Sequence, residues 1–257
     1  MIAAERYDLI LSHLGAKGVV KTKELKELLH VSEETIRQDL IQLEKMGELR
    51  RVHGGAAPSG MSRFTLPLPE REALHREEKV AIAQKACSLV QPRDTIFLDA
   101  SSTVLTMASL LPDMEATVLT NANHVIVSLG QRTNLDLICT GGDYERRSRS
   151  YTGVLAEEAL QRFLIQKMFI GVDGLDVSRG ASEVNAGQAR LKERLIPIAE
   201  QVIVLADASK LERRSSFFFA RLAQIDTLIT TRPADPRLLD AFRKEGVSVI
   251  VAGTSAE

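Results

Sequence analysis

The chain has no tryptophan, and aromatic residues make up only 4% of its 257 positions. Stacking platforms for single-stranded nucleic acid, which need several exposed rings, are therefore not expected. Cysteine is nearly absent: Cys87 and Cys139 are the two, each inside an apolar run and neither with a second cysteine or histidine at metal-ligand spacing. Two buried thiols in a reducing compartment follow, with no metal site and no disulfide framework. No stretch approaches the roughly 18 uncharged apolar residues of a membrane span. The N-terminus carries Glu5, Arg6 and Asp8 where a targeting signal would be basic and then apolar, so a soluble cytoplasmic protein is expected. Excess charge is also missing. With 33 basic and 34 acidic residues the formal net charge is -1, which excludes a histone-like polycation or a long acidic tail.

What is present is an ordinary globular composition, 44% hydrophobic, in a chain long enough for one large or two unequal domains. Pro58, Pro67 and Pro69 fall close together with Ser59, Gly60 and Ser62, a composition that suits a linker. We therefore divide the chain into residues 1–57, a linker at 58–75, and residues 76–257.

Residues 1–57 read as three short helices and a basic turn. Tyr7, Ile10, Leu11 and Leu14 form one apolar stripe that is expected to end before Gly15 and Gly18. Thr22 is placed to cap a second helix whose Leu25, Leu28 and Leu29 face the same core. After the tight connection Val31-Ser32, Ser32 caps a third helix that buries Ile36, Leu40 and Leu43 and ends at Gly47. Two helices joined this closely have the form of a helix-turn-helix. The outer face of the third helix then carries Glu34, Thr35, Arg37, Gln38, Gln42 and Lys45, side chains that can reach base edges and phosphates. The run Leu49, Arg50, Arg51, Val52, His53 and Gly54-Gly55 suits a wing whose cations touch the DNA backbone. A small protein-interaction domain with a solvated polar face is the competing reading. Composition favours that alternative, because residues 1–57 carry as many acidic as basic side chains.

In the longer part, short β-prone runs alternate with helical patterns, which predicts an α/β domain with a buried parallel sheet. Thr95–Leu98 is followed by Asp99 and the hydroxyl cluster Ser101, Ser102 and Thr103, where a helix starts. Backbone N–H groups and hydroxyls at a helix start suit an anion such as phosphate, and an ordinary helix cap would look the same. Three further strands end at Thr120-Asn121, Gly141-Gly142 and Gly171-Val172-Asp173-Gly174, and ligands in open α/β sheets gather beyond such strand ends. Asp173 could accept from sugar hydroxyls. Lys192 and Lys210 supply the positive charge a phosphate needs, and Lys210 closes another strand-like run, Val202–Leu205 followed by Ala206–Ser209. Arg146, Arg147 and Arg149 form the densest basic cluster, read either as a solvated loop or as a contact to the phosphate or a neighbouring subunit.

Taken together, Val31-Ser32-Glu33-Glu34-Thr35-Ile36-Arg37-Gln38-Asp39-Leu40, Leu43-Glu44, Gly47, Leu49, Arg51 and His53-Gly54-Gly55-Ala56 resemble the N-terminal signature of the DeoR family of bacterial sugar-responsive transcriptional regulators. Gln38 departs from it, since a second arginine is usual there. The resemblance continues through Leu98–Thr103, Leu119–Asn121, Gly141-Gly142, Gly171–Gly174 and Ala206–Lys210, and Arg179–Asn185 is similar to the glucitol and amino-sugar branch. It implies a winged helix-turn-helix joined to an effector domain of the ribose-phosphate isomerase and glucosamine-phosphate deaminase type. It also implies a homo-oligomeric repressor, dimer or tetramer, on double-stranded operator DNA, controlled by a phosphorylated sugar or sugar alcohol. The resemblance favours Lys192 and Lys210 as effector residues. No cofactor and no catalytic residue is expected. The alternative, a sugar-phosphate isomerase or deaminase-like enzyme with an accessory DNA-binding head, would draw its general base from Asp99, Asp173, Glu183 or Asp207. A helix-turn-helix on the same chain instead makes such a site a sensor.

Overall fold

A computed structural model describes residues 2–17, 19–45, 48–52, 54–58 and 68–253, and these divide into two compact units, Met1–Thr65 and Leu66–Glu257. Gly18, Gly47, His53 and the stretch 59–67 lie outside the described residues.

The first unit holds α1 (Ala3–Lys17), β1 (Val20–Lys21), α2 (Thr22–Leu29), α3 (Glu33–Lys45), β2 (Leu49–Val52) and β3 (Gly55–Pro58). Its core is built from the expected stripes: Ile10 and Leu14 of α1, Leu25 and Leu29 of α2, and Ile36, Leu40 and Leu43 of α3 are buried together with Leu49. Ser32 caps α3, its Oγ accepting from Thr35 N–H at 3.0 Å. Three expectations are corrected. Helix α1 continues through Gly15 to Lys17, because a single glycine costs a helix only about 1 kcal/mol and the apolar stripe outweighs it. Thr22 is the first helical residue rather than the cap; Lys21 holds the cap position, and Thr22 N–H donates to the Gly54 carbonyl. Leu28 is exposed, since its neighbours Leu25 and Leu29 already fill the inward face. The wing has more strand than expected: β2 and β3 form a hairpin and β3 also pairs with β1, Val20 opposite Ala56. A side chain at Gly55 would place its Cβ 2.0 Å from the Val20 carbonyl oxygen, so glycine is required for this three-stranded closure.

The second unit opens with α4 (Leu68–Ala73), which occupies part of the stretch its prolines mark as linker; Pro69 stands in the first turn, where a missing N–H costs nothing. There follow α5 (Arg76–Cys87), β4 (Thr95–Leu98), α6 (Ser102–Leu110), β5 (Ala116–Thr120), α7 (Asn123–Leu129), β6 (Leu135–Cys139), β7 (Asp143–Glu145), β8 (Ser150–Thr152), α8 (Val154–Ala159) and β9 (Ile165–Gly171). The chain ends with β10 (Gly174–Asp176), β11 (Gly180–Glu183), α9 (Ala186–Leu195), β12 (Ala199–Leu205), β13 (Phe217–Ala220), β14 (Thr227–Thr231), α10 (Pro236–Lys244) and β15 (Ser248–Ala252).

Seven strands make one parallel sheet in the order β15-β14-β12-β9-β4-β5-β6. Alternation along each strand divides the core. Ile96, Leu98, Phe169, Ile203 and Leu205 pack beneath α5, α6 and α7; Phe97, Met168, Ile170, Val202 and Val204 pack beneath α8, α9, α10 and a small antiparallel sheet of β10, β11 and β13. Two-sided burial explains why these strands read as continuous apolar runs. Cys139 departs from expectation: it is exposed because β6 is an edge strand, and Cys87 is half-buried with its thiol pushed up to about 11 by burial. The Cys87 sulfur is therefore a thiol near neutral pH, and no group of three or more potential metal ligands occurs among the described residues.

After β4 the chain winds outward through β5 and β6; after β9 it winds the other way through β12, β14 and β15. The carboxyl ends of β4 and β9 therefore flank the switch point where an open sheet leaves a crevice.

Candidate DNA-reading face and effector site

In the first unit, α3 presents Glu34, Arg37, Gln38 and Lys45 to solvent, with Thr35 and Gln42 partly exposed. These side chains engage one another along the helix. Arg37 pairs with Glu33 at 2.9 Å and Gln38 donates to Glu34 at 3.0 Å, both at the four-residue spacing that brings side chains together on a helix. Arg50 is exposed on the wing, while Arg51 is tied to Glu44 through both its backbone N–H and its guanidinium Nε. Ser32 and Thr35 share a hydroxyl hydrogen bond, so both serve the cap as well as the face. An open groove of about 750 Å³ lies between the start of α2, α3 and the wing, lined by Lys21, Lys23, Arg37 and Arg51 against the single carboxylate of Glu33. The cancelling charge of this unit is thus segregated, with cations gathered on the side facing a would-be duplex. Lys21 and Lys23 were not singled out from the sequence; only the antiparallel pairing of β1 with β3 brings them to the groove. Behind α3, Asp39 is buried and accepts from Arg6 at 2.7 and 2.9 Å, fixing α3 against α1.

At the switch point of the second unit, Asp99 accepts from the N–H groups of Ser101 (2.9 Å) and Gly171 (3.0 Å) and from Lys192 (2.8 Å). Lys192, only 2% exposed, also donates to Glu183 and to the Gly171 carbonyl at 2.8 Å. An ammonium has three donors, and all three are engaged. Burial opposes the charge of Lys192, but Asp99 and Glu183 outweigh it and hold the lysine protonated. Burial pushes Glu183 well up despite Lys192, and Asp173 raises it further, while Asp173, opposed by the same burial, is brought down by its hydrogen bond with Glu183, by Lys210 and by Val184 N–H. The close approach of the Ser101 turn to β9 needs Gly171, where a Cβ would fall 2.4 Å from that of Ser101.

Several expected effector residues have protein partners in this arrangement. Asp99 and Lys192 have their polar atoms spent on the frame that joins the two halves of the sheet. Ser101 caps α6 by accepting from Val104 N–H, leaving Ser102 and Thr103, both buried, at the helix start. Thr120 donates to the Leu98 carbonyl and accepts from Ala122 N–H. Gly141 and Gly142 turn the chain from β6 toward β7, and Gly174 starts β10 against the Arg213 carbonyl. Arg146, Arg147 and Arg149 are exposed in the β7–β8 turn.

The groups with spare capacity lie elsewhere. Asn121 is 1% exposed and gives both amide hydrogens, to the Tyr151 carbonyl (2.9 Å) and to Gln188 (3.1 Å), while its Oδ1 is buried without a partner. The His124 ring nitrogens are buried with no side-chain partner, and burial lowers its pKa to about 4 in spite of Asp99 and a backbone contact at Arg149, so the ring is neutral. Arg71, on α4, has a buried Nε with no partner, and its charge is felt by His124, Asp173 and Lys79. Lys79, brought down to about 8 chiefly by burial, lies within electrostatic reach of Asp207 and Lys210. Lys79 Nζ is held by the carbonyls of Arg71 and Leu74, and the charges of Arg71 and Lys210 both act on Lys79 and Asp173. Arg71, Lys79 and His124 were not picked out from the sequence. Lys79 did carry a signal: it begins the stripe Lys79, Ile82, Ala83, Ala86, a charge on an otherwise buried helix face.

A winged helix-turn-helix followed by a separate α/β unit with a polar switch-point crevice defines a helix-turn-helix transcriptional regulator. Residues 6–59 match the DeoR-like helix-turn-helix domain and residues 74–232 the DeoR C-terminal sensor domain. The chain belongs to the DeoR family of transcriptional regulators. It is 38% identical to the regulator YulB of Bacillus subtilis (strain 168), over 97% of this chain and 96% of that one. It is 34% identical to a putative aga operon transcriptional repressor of Escherichia coli O157:H7 (97% and 94% covered), and 32% identical to the transcriptional repressor GlcR of Bacillus subtilis (98% and 97% covered). Among solved structures it is similar to ribose 5-phosphate isomerase A of Methanocaldococcus jannaschii, with a TM-score of 0.39 and 17% identity over 52% of this chain and 53% of that one. Relatives that match from end to end are regulators, and an enzyme with an accessory head is not favoured. No helix among the described residues is long and apolar enough to cross a membrane.

Proposed function

We propose that the chain represses a carbohydrate catabolic operon as a homo-oligomer, with residues 1–57 on double-stranded operator DNA and residues 76–257 sensing a phosphorylated sugar or sugar alcohol. The observation that supports this is the set of buried polar atoms left without a partner at Arg71 Nε and Asn121 Oδ1, in a unit where Arg71, Lys79 and Lys210 lie within electrostatic reach of one another's surroundings. The cations suit a phosphate, aided by the N–H groups of Ser102 and Thr103 at the start of α6. Asn121 Oδ1, an acceptor with both lone pairs free, and the neutral His124 suit hydroxyl groups. Asp99, Lys192, Glu183 and Asp173 hold the loops between them. Two relatives named for sugar operons, the aga repressor and an L-fucose operon activator of Haemophilus influenzae, support this ligand class. On the DNA side, Arg37, Gln38, Gln42 and Lys45 read the major groove while Lys21, Lys23, Arg50, Arg51 and His53 face phosphates.

A thermal-shift screen of glucosamine, glucitol, fructose and other sugar phosphates tests the reading. At a hundredfold excess over its dissociation constant the effector stabilises by about 2.7 kcal/mol, and it changes retention of the operator fragment at the same concentration. Stabilisation by none of them, or stabilisation with unchanged operator binding, would overturn it.

A further inference from the structure

Helix α4 is the first described element after the DNA-reading unit, and little holds it down. It has six residues, too few to be stable alone, and Leu68 is the side chain it buries completely. Leu68 N–H donates to the Arg147 carbonyl at 3.2 Å, and Lys79 reaches from α5 to the carbonyls of Arg71 and Leu74 at the other end. Pro69, Glu72, Ala73 and Leu74 are exposed. Between α4 and α5 stands His75 with φ of 51°, a left-handed conformation that is uncommon for a residue other than glycine and breaks the two helices apart.

Docked in this way, α4 carries Arg71 into the region already occupied by Lys79. The buried Nε finds no acceptor, and Asp173, a carboxylate on which the charge of Arg71 acts, is already hydrogen-bonded to Glu183 and accepts from Val184 N–H. A buried donor without an acceptor opposes docking, and an anion between Arg71, Lys79 and Lys210 removes that opposition. Anion binding and docking of α4 are then linked, because the ligand gains its contact with Arg71 only when α4 is down.

Resting on the sugar-phosphate reading above, we propose that α4 is an anion-locked strap that sets the length of the tether to the DNA-reading unit. With α4 docked, nine residues lie between Pro58 at the end of β3 and Leu68, a span of ten residue steps; with α4 released, seventeen lie between Pro58 and Arg76 at the start of α5, a span of eighteen steps. Fully extended these reach at most about 35 Å and about 63 Å. Adjacent half-sites on DNA are about 34–36 Å apart. The strap therefore changes tether reach over the range that decides whether two heads engage one operator, a change in effective concentration without any new contact to DNA.

Hydrogen exchange on the full-length protein tests this, with inorganic phosphate, glucosamine 6-phosphate, glucitol 6-phosphate and fructose 1-phosphate as probes. Whichever raises the melting point is expected to slow exchange at residues 69–76 by about tenfold or more. In Arg71→Met the same probe at saturation should still protect the start of α6 at Ser102 and Thr103 yet leave α4 unprotected. The unliganded variant should melt no lower than the wild type. A probe that stabilises the wild type without slowing α4 overturns the strap and leaves the sensor reading standing. Protection of α4 that persists in Arg71→Met, or a marked drop in that variant's unliganded melting point, overturns it too. If no probe shifts the melting point, the anion site itself is lost and the sugar-phosphate reading falls with it.

Discussion

The two units of this regulator keep their charges in opposite ways. In the DNA-reading unit the cations are exposed and pair with carboxylates on their own helix or the next strand, Arg37 with Glu33 and Arg51 with Glu44. In the sensor the decisive cation is buried, and Lys192 joins Asp99 at the end of β4 to Glu183 at the end of β11. Exposed pairs of the first kind contribute little to stability and exchange partners readily, which suits a surface that must trade a carboxylate for a phosphate. Buried pairs of the second kind are costly to disrupt, which suits a frame that must hold strand ends in place.

Removing Lys192 should break the contrast most severely. Lys192→Met leaves Asp99 and the Glu183–Asp173 pair buried without compensation, at a cost of about 3–5 kcal/mol. Calorimetry should show the sensor transition falling by roughly 10 °C or more while that of the DNA-reading unit stays in place. A loss of only a degree or two would mean that the frame is not electrostatic.

Acid should act next, and on the sensor. His124 titrates at about 4 in the folded protein against 6.5 ordinarily, so between these values the unfolded chain takes up a proton that the folded chain refuses. The stability present above pH 6.5 is thus lost as pH falls toward 4, by about 3 kcal/mol at most. His124→Phe should flatten this part of the pH–melting profile, and an unchanged slope would assign it to other groups.

The smallest effect belongs to the exposed pair. Arg37→Ala should weaken operator binding by about 10- to 100-fold with the sensor transition unmoved. Glu33→Ala should do the reverse, tightening binding modestly by freeing Arg37, with little change in stability. If both substitutions lower the melting point strongly, the surface pairs are structural after all and the contrast between the units fails.

Much of this architecture was legible wherever one physical signal dominated. Ile10, Leu14, Leu25, Ile36 and Leu40 announced their helices by spacing, Ser32 announced its cap, and Thr95–Leu98 announced a strand buried on two faces. Strand ends at Asp99, Asn121 and Gly171 pointed to the crevice because a parallel sheet gathers them on one side. Where two signals competed, local reading went astray. Prolines at 67 and 69 masked α4, and with it Arg71. Lys192 suits a phosphate by its type, and that its donors are engaged within the protein depends on Asp99 and Glu183, which lie 93 and nine residues away. Strands β14 and β15 were overlooked, short runs whose identity as strands depends on lying beside β12.

The order of the strands also has a consequence during synthesis. All six elements of the DNA-reading unit are in place by Pro58, whereas the sensor's central strand β4 must wait for β9, and Asp99 for Lys192 on α9. A chain growing from its N-terminus folds its early unit first. A nascent or truncated product therefore carries a finished DNA-reading unit before it carries any sensor, and in that interval it has no domain with which to answer an effector.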